Sequence, residues 1–123
     1  MKTPDYYLPI MPYLILKGAK DFLIFTKEVF NAKEEMIVPR EDGSIMHAEI
    51  SIGKAVIMVA EATELYKPLP CGMFIQLENI DEAYNIALAN GALSLQEPDN
   101  RDYGRSAGFQ DKFGNQWWLT KPQ

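Results

Sequence analysis

Basic residues, cysteine and long apolar runs are what this chain has least of, and each scarcity excludes something. Lysine and arginine number 12 against 17 aspartates and glutamates, a net charge of −5. Neither a basic tail nor a basic helix occurs. A phosphate backbone is therefore not expected as partner, because nucleic-acid binding draws on clustered Lys and Arg to displace counterions. The one cysteine, Cys71, excludes an intramolecular disulfide and fits a reducing compartment. No segment approaches the ~20 consecutive apolar residues of a membrane helix. The N-terminal stretch MKTPDYYLPIMPY is broken by prolines and lacks the apolar region of a signal peptide. These absences predict a cytoplasmic protein with neither a nucleic-acid nor a membrane partner.

What is present suits a self-supporting core. Of the 123 residues, 47% are hydrophobic and 24% charged, the balance of an ordinary globular chain of one domain. Segment 10–18, IMPYLILKG, is branched, apolar and closed by glycine, so it reads as a strand. In AKDFLIFTKEVFNA, Phe22, Phe25 and Val29 recur at helical spacing, with Leu23 and Phe30 widening the stripe. EEMIV, SIMHAEISI and AVIMVAE follow as strands, the last two joined by the two-residue turn Gly53-Lys54. The order is βαβββ.

The same order restarts near residue 72, with GMFIQLEN as strand and IDEAYNIALANG as helix, its apolar face carrying Ile80, Ala83, Tyr84, Ala87 and Leu88. LSLQEP, RSAGFQD and NQWWLT complete it as strands. One interval separates Asn31 from Asn90 and Pro39 from Pro98, as a duplicated module requires. The fold class expected is α+β, a single domain of two tandem βαβββ modules at about 9–62 and 72–121, joined by a linker at about 63–71. One helix covers only one face of each sheet, so the uncovered faces are expected to curve around a shared cavity.

Two βαβββ modules, the helix pattern F-x-x-x-V-F and the terminal hairpin D-x-F-G-N-x-x-W-L together resemble the vicinal oxygen chelate superfamily of glyoxalases, bleomycin resistance proteins and extradiol dioxygenases. IMPYLILKGA, MHAEISIG and DKFGNQWWL are similar to its glyoxalase-like and bleomycin-resistance-like branch. The resemblance implies metal ligands (His, Glu or Gln) on the first and last strands of each module. Matching the modules puts Met11 to Tyr13, Met58, Gly72 or a neighbour, and Trp118 at those places. Thioether, glycine and indole do not replace the imidazole and carboxylate that hold zinc, nickel or iron. No metal and no other cofactor is expected.

The Gly53-Lys54 turn sets the register of its hairpin, pairing Ile52 with Ala55, Ser51 with Val56, Ile50 with Ile57 and Glu49 with Met58. Directly paired residues share a face. Ala48, Ile50, Ile52, Ala55, Ile57 and Val59 then lie under the helix, and His47, Glu49, Ser51 and Met58 lie opposite. The same parity sends Tyr13, Phe74, Gln76 and Trp118 to the cavity side, and Leu14, Leu16, Met73 and Trp117 to the core. Phe109 joins Trp118 if the last hairpin has a four-residue loop. Met46 falls on the core parity.

The expected site is thus Tyr13, His47, Glu49, Met58, Phe74, Gln76, Phe109 and Trp118, an aromatic lining with a few polar groups suited to a planar organic ligand. The function expected is metal-free binding of a small molecule, aromatic or drug-like, by a homodimer of the glyoxalase and bleomycin resistance type. The alternative is an enzyme: a lyase or isomerase using His47 and Glu49, or a metal-dependent glyoxalase or dioxygenase. Arg101, Tyr103 and Arg105 read as a charged hairpin loop or, alternatively, as a lid presenting cations.

Overall fold

The computed structural model describes residues 2–123. Ten elements follow in the order β1 (Tyr13–Leu16), α1 (Ala19–Phe30), β2 (Lys33–Pro39), β3 (Ile45–Ile52), β4 (Ala55–Glu61), β5 (Gly72–Gln76), α2 (Ile80–Ala89), β6 (Leu93–Arg101), β7 (Gly104–Gln110) and β8 (Gln116–Thr120). They form two four-stranded sheets of matching topology, β1-β4-β3-β2 and β5-β8-β7-β6. In each, the first strand lies parallel to the last and the remaining pairs are antiparallel. The architecture is α+β with a repeated βαβββ module. The chain divides into two compact units, Met1–Leu69 and Pro70–Gln123.

In the first unit α1 packs on β3 and β4. Its buried stripe is Phe22, Leu23, Phe25 and Val29, with Thr26 among them. Thr26 is tolerated there because its hydroxyl donates to the carbonyls of Phe22 and Leu23. The helix start is capped from a distance. Glu61, at the end of β4, accepts from the backbone N–H groups of Gly18 and Ala19 at 2.9–3.2 Å, satisfying donors that a helix cannot pair internally. Asn31 ends the helix in the left-handed conformation, φ 55°, and its N–H returns to the Lys27 carbonyl. Beneath α1 the sheet supplies Leu14, Leu16, Ala48, Ile50, Ile57 and Val59, all buried. Pairs Glu49↔Met58, Ile50↔Ile57, Ser51↔Val56 and Ile52↔Ala55 are those the Gly53-Lys54 turn dictates.

The segment after β4 is not free chain. Leu69 pairs with Ile15 by two backbone hydrogen bonds, 2.7 and 3.4 Å, adding a short antiparallel bridge to the outer edge of β1.

In the second unit α2 packs on β6 and β7, and Trp117, Leu119 and Phe109 form the core with Ile80, Ala83, Tyr84 and Ala87. Its β6 runs on to Arg101, past the end expected from sequence, and accommodates Pro98 where the β6–β7 register shifts between Gln96 and Asp99. Proline has no N–H for the ladder, so an edge strand and an irregular rung are where it fits.

Asp111 organises the final hairpin. Its buried carboxylate accepts from the N–H of Phe113, the N–H and side-chain amide of Asn115, and the indole Nε1 of Trp117, each at 2.9 Å. Asn115 in turn accepts from the Cys71 N–H at 3.0 Å, tying the hairpin to the strand that pairs with it. Gly114 takes φ 96°, closing the turn at an angle that other side chains resist. The D-x-F-G-N-x-W pattern is therefore a structural device. Burial, followed by the Asp111 charge, raises the Cys71 thiol above its ordinary value, which suppresses thiolate character.

Removing the carboxylate would strand several buried donors. D111A is expected to lose about 2–4 kcal/mol of unfolding free energy in a denaturant titration. A loss below about 1 kcal/mol would show that these bonds are replaced by water.

Candidate functional site

The parallel pairing of β1 with β4 aligns Tyr13 with Met58, and β3–β4 pairing aligns Met58 with Glu49. Tyr13, Met58 and Glu49 thus form one row across three strands, on the face opposite α1. His47 stands two residues along β3 on the same side. The structure brings three of these together: His47 Nε2 lies 2.6 Å from a Glu49 carboxylate oxygen, and His47 Nδ1 lies 3.0 Å from the Tyr13 hydroxyl. The two rings are 5.5 Å apart and tilted by 36°.

Glu49 is the centre of this arrangement. Its side chain is 0% exposed, yet its carboxylate accepts from three side chains. Besides His47, the hydroxyls of Tyr6 and Tyr7 each donate to one carboxylate oxygen at 2.5 Å. These tyrosines belong to the segment that leads into β1, which runs on to pair the Pro12 carbonyl with the Met58 N–H. Burial pushes the Glu49 carboxyl up, but Tyr6, Tyr7 and His47 together outweigh it and hold the carboxyl below its ordinary value. Reciprocally, donation to Glu49 raises both tyrosine hydroxyls. Nearby, Ser51 donates to Glu35 at 3.0 Å.

Tyr6 and Tyr7 escape sequence reasoning because PDYYLP has neither helical nor strand periodicity. The available signal is indirect: a glutamate inside an apolar hairpin needs donors, and a nonperiodic pair of tyrosines can supply them.

Tyr13, 47% exposed, also lines a cavity of about 370 Å³ with Ile15, Arg40, Met46, Ala60, Glu61 and Tyr66. Arg40 is half-buried and donates to the Ser44 hydroxyl and the Glu61 carbonyl, both at 3.2 Å. Met46, expected in the core, is 48% exposed and stands in this cavity wall. The β2–β3 register slips between Val38 and Pro39, skipping Met46 and breaking the alternation on which that expectation rested.

In the second unit Phe74 pairs with Trp118, and Gln76 pairs with Thr120 at the strand end. Phe74 is 65% exposed, Gln76 is exposed and Trp118 half-buried. Trp118 lies against Gly108, its partner on β7, where an added Cβ would sit 2.6 Å from the indole. Phe109 is corrected. It pairs with Trp117, not beside Trp118, and is buried among the core residues. Asp111 bonds to Asn115 across a loop of odd length, Lys112 to Gly114, whereas a four-residue loop would reverse the parity. Arg105 makes a bidentate pair with Asp81 in the first turn of α2, at 2.6 and 2.7 Å, and Arg101 donates to Ser106. Both guanidinium groups are engaged within the unit.

The paired residues on the helix-free faces offer a metal little. Tyr13 beside Met58 offers phenol and thioether, and Phe74 beside Trp118 offers only aromatic rings. Among the described residues no group of three or more His, Cys, Asp and Glu could hold a metal ion. Glu49 is occupied by three donors, and the Nε2 of His47 is turned to Glu49. These residues do not fit a divalent metal.

Two mixed four-stranded sheets, each with one covering helix and repeated in tandem, define a paired βαβββ protein. Residues 17–119 match the Glyoxalase/Bleomycin resistance protein/Dioxygenase superfamily, and the chain belongs to it. In sequence it is 24% identical to the uncharacterized protein Mb0911c of Mycobacterium bovis, over 92% of this chain and 82% of that protein. In structure it resembles TioX from Micromonospora sp. ML1, with a TM-score of 0.77 and 20% identity over 95% of this chain and 100% of the other. It also resembles TnmS3, an antibiotic binding protein from Streptomyces sp. CB03234, with a TM-score of 0.71 and 16% identity over 95% and 100%. At these identities the structural likenesses establish the fold. No described helix is long and apolar enough to cross a membrane.

Because the Glu49 carboxyl is depressed in the folded state, its contribution to stability is present above the ordinary glutamate range and is lost as pH falls through the folded value. In a Y6F/Y7F double variant the opposing effect of burial is less compensated. The acid limb of the stability profile is then expected to move to higher pH, read as unfolding midpoint against pH. An acid limb unchanged from that of the parent protein would mean that the two hydroxyls do not hold the carboxylate.

Proposed function

We propose that this protein binds a small organic molecule with an aromatic part, without a metal, on the helix-free face of its first unit. The observation that carries the reading is the chain Tyr13–His47–Glu49, which runs from a fully buried carboxylate to a tyrosine that lines a cavity of about 370 Å³. Pockets of this size, walled by apolar and aromatic groups with a few fixed polar ones, suit drug-sized ligands. Tyr13 and Tyr66 supply rings, Ile15, Met46 and Ala60 supply apolar surface, Arg40 supplies a cation and Glu61 a carboxylate. Membership of the superfamily supports the reading, as does the antibiotic-binding description of TnmS3.

The ligand is aromatic or drug-like, and sequestration is the simplest activity such a site needs. Phe74, Gln76 and Trp118 form a second polar-aromatic surface, on the second unit, of the same kind. The reading extends to a cytoplasmic homodimer. The lone cysteine supports the compartment, and the exposed Leu93 and Leu95 on the edge strand β6 support self-association. The His47–Glu49 contact also favours a second reading, a metal-free lyase or isomerase.

A thermal-shift and native mass screen against aromatic metabolites and glycopeptide drugs tests the binding reading. A true ligand at a hundredfold excess over its Kd adds about 2.7 kcal/mol of stability. At least one aromatic compound is expected to stabilise the protein, with the shift reduced by Y13A. No stabilisation by any aromatic compound would overturn the reading, and stoichiometric zinc, nickel or iron in the purified protein would overturn its metal-free part.

A further inference from the structure

The hydrogen-bonded chain on the first sheet has a direction. A carboxylate that takes two tyrosine hydroxyls is an acceptor only, so the 2.6 Å contact puts the proton of a neutral His47 on Nε2. Nδ1 is then an acceptor, and the 3.0 Å contact is the Tyr13 hydroxyl donating to it. With its only proton turned to His47, the Tyr13 oxygen keeps its lone pairs free to accept, and Tyr13 is one of the residues that line the cavity. This is the logic of a nucleophile, base and orienting carboxylate, with a phenol at the outer end.

We propose that the cavity takes a weakly acidic aromatic compound, of the phenol or enol class, and binds it as the anion while His47 keeps the proton. The inference rests on the reading of a small-molecule site given above. The transfer balances within the site. The ligand O–H bond breaks and its proton goes to the Tyr13 oxygen, while the phenolic proton of Tyr13 passes to His47 Nδ1. His47 becomes an imidazolium paired with the Glu49 carboxylate, and Tyr13, again protonated, is free to donate to the ligand anion. The total charge is unchanged.

The surrounding groups favour this distribution. Glu49 lies 2.6 Å from His47 on the same strand and is the carboxylate with which the imidazolium would be paired. Tyr6 and Tyr7 hold Glu49 as an acceptor from the N-terminal side. Glu35 on β2 is engaged by Ser51, and Glu61 on β4 is spent on the helix start. The cavity wall holds both Arg40 and Glu61; the Glu61 carboxylate is bonded to the helix start, which leaves Arg40 as the permanent positive charge for the anion, and Tyr66 adds a further ring.

The probe is para-nitrophenol, whose absorption distinguishes the neutral phenol from the phenolate. It is titrated with the protein at a pH below that at which the free phenol ionises. Bound probe is expected to carry the phenolate band, and Y13F and H47Q are expected to bind it as the neutral phenol. Apparent affinity should fall about tenfold or more in each, the factor equivalent to one unit of proton affinity. Y13F alters a half-exposed ring, and circular dichroism confirms that its fold is kept.

Neutral probe on the parent protein, or an undiminished phenolate band with Y13F, would overturn the relay and leave the binding site standing. Failure to bind para-nitrophenol while other aromatic compounds bind would overturn the ligand class. Failure of every aromatic compound would instead remove the site proposed above, and this inference with it.

Discussion

A carboxylate with no solvent exposure, on the sheet face that no helix covers, is the constraint around which the first unit is arranged. Taking an ion out of water costs several kcal/mol unless its lone pairs are met by donors. Glu49 meets that demand with three side chains drawn from two different parts of the chain, Tyr6 and Tyr7 before β1 and His47 on its own strand. Their presence explains why the segment preceding the first strand is held against the sheet, and why the histidine has a defined tautomer. Tyr13 inherits its orientation from that histidine, so the buried charge is expressed at the cavity wall.

The second unit solves the same architectural problem differently. It also carries a buried carboxylate, Asp111, but that one faces the core and its donors lie within a few residues of it, apart from the Asn115 relay to Cys71. The result is a rigid hairpin. On its opposite face, Phe74 and Trp118 replace polar groups with rings, and Gly108 leaves room for the indole to lie across β7. The two modules share topology and helix cover, while the faces away from the helices differ in chemistry.

Much of this was legible in the chain itself, and the exceptions have physical causes. The repeated βαβββ order, both helix stripes and the β3–β4 register follow from periodicity and from a two-residue turn, which admits little freedom. Tyr13, His47, Glu49 and Met58 stand on one face as that register requires. Phe109 and Met46 were misplaced because alternation carries a face assignment only as far as the nearest bulge or odd-length loop. The last hairpin and the β2–β3 ladder each contain one. Tyr6 and Tyr7 were invisible for another reason: they act from irregular chain, and their role depends on a long-range contact with a residue 43 and 42 positions away.

The central claim is that Glu49 remains ionised although fully buried. A carbon-13 NMR titration of the glutamate side-chain carboxyls, with Glu49 assigned by the signal missing in E49Q, measures this directly. Glu49 is expected to titrate below the ordinary glutamate range and to be a carboxylate throughout the neutral region. A Glu49 signal that titrates above that range would contradict the account, because a protonated carboxyl neither fixes the His47 tautomer nor supports an imidazolium.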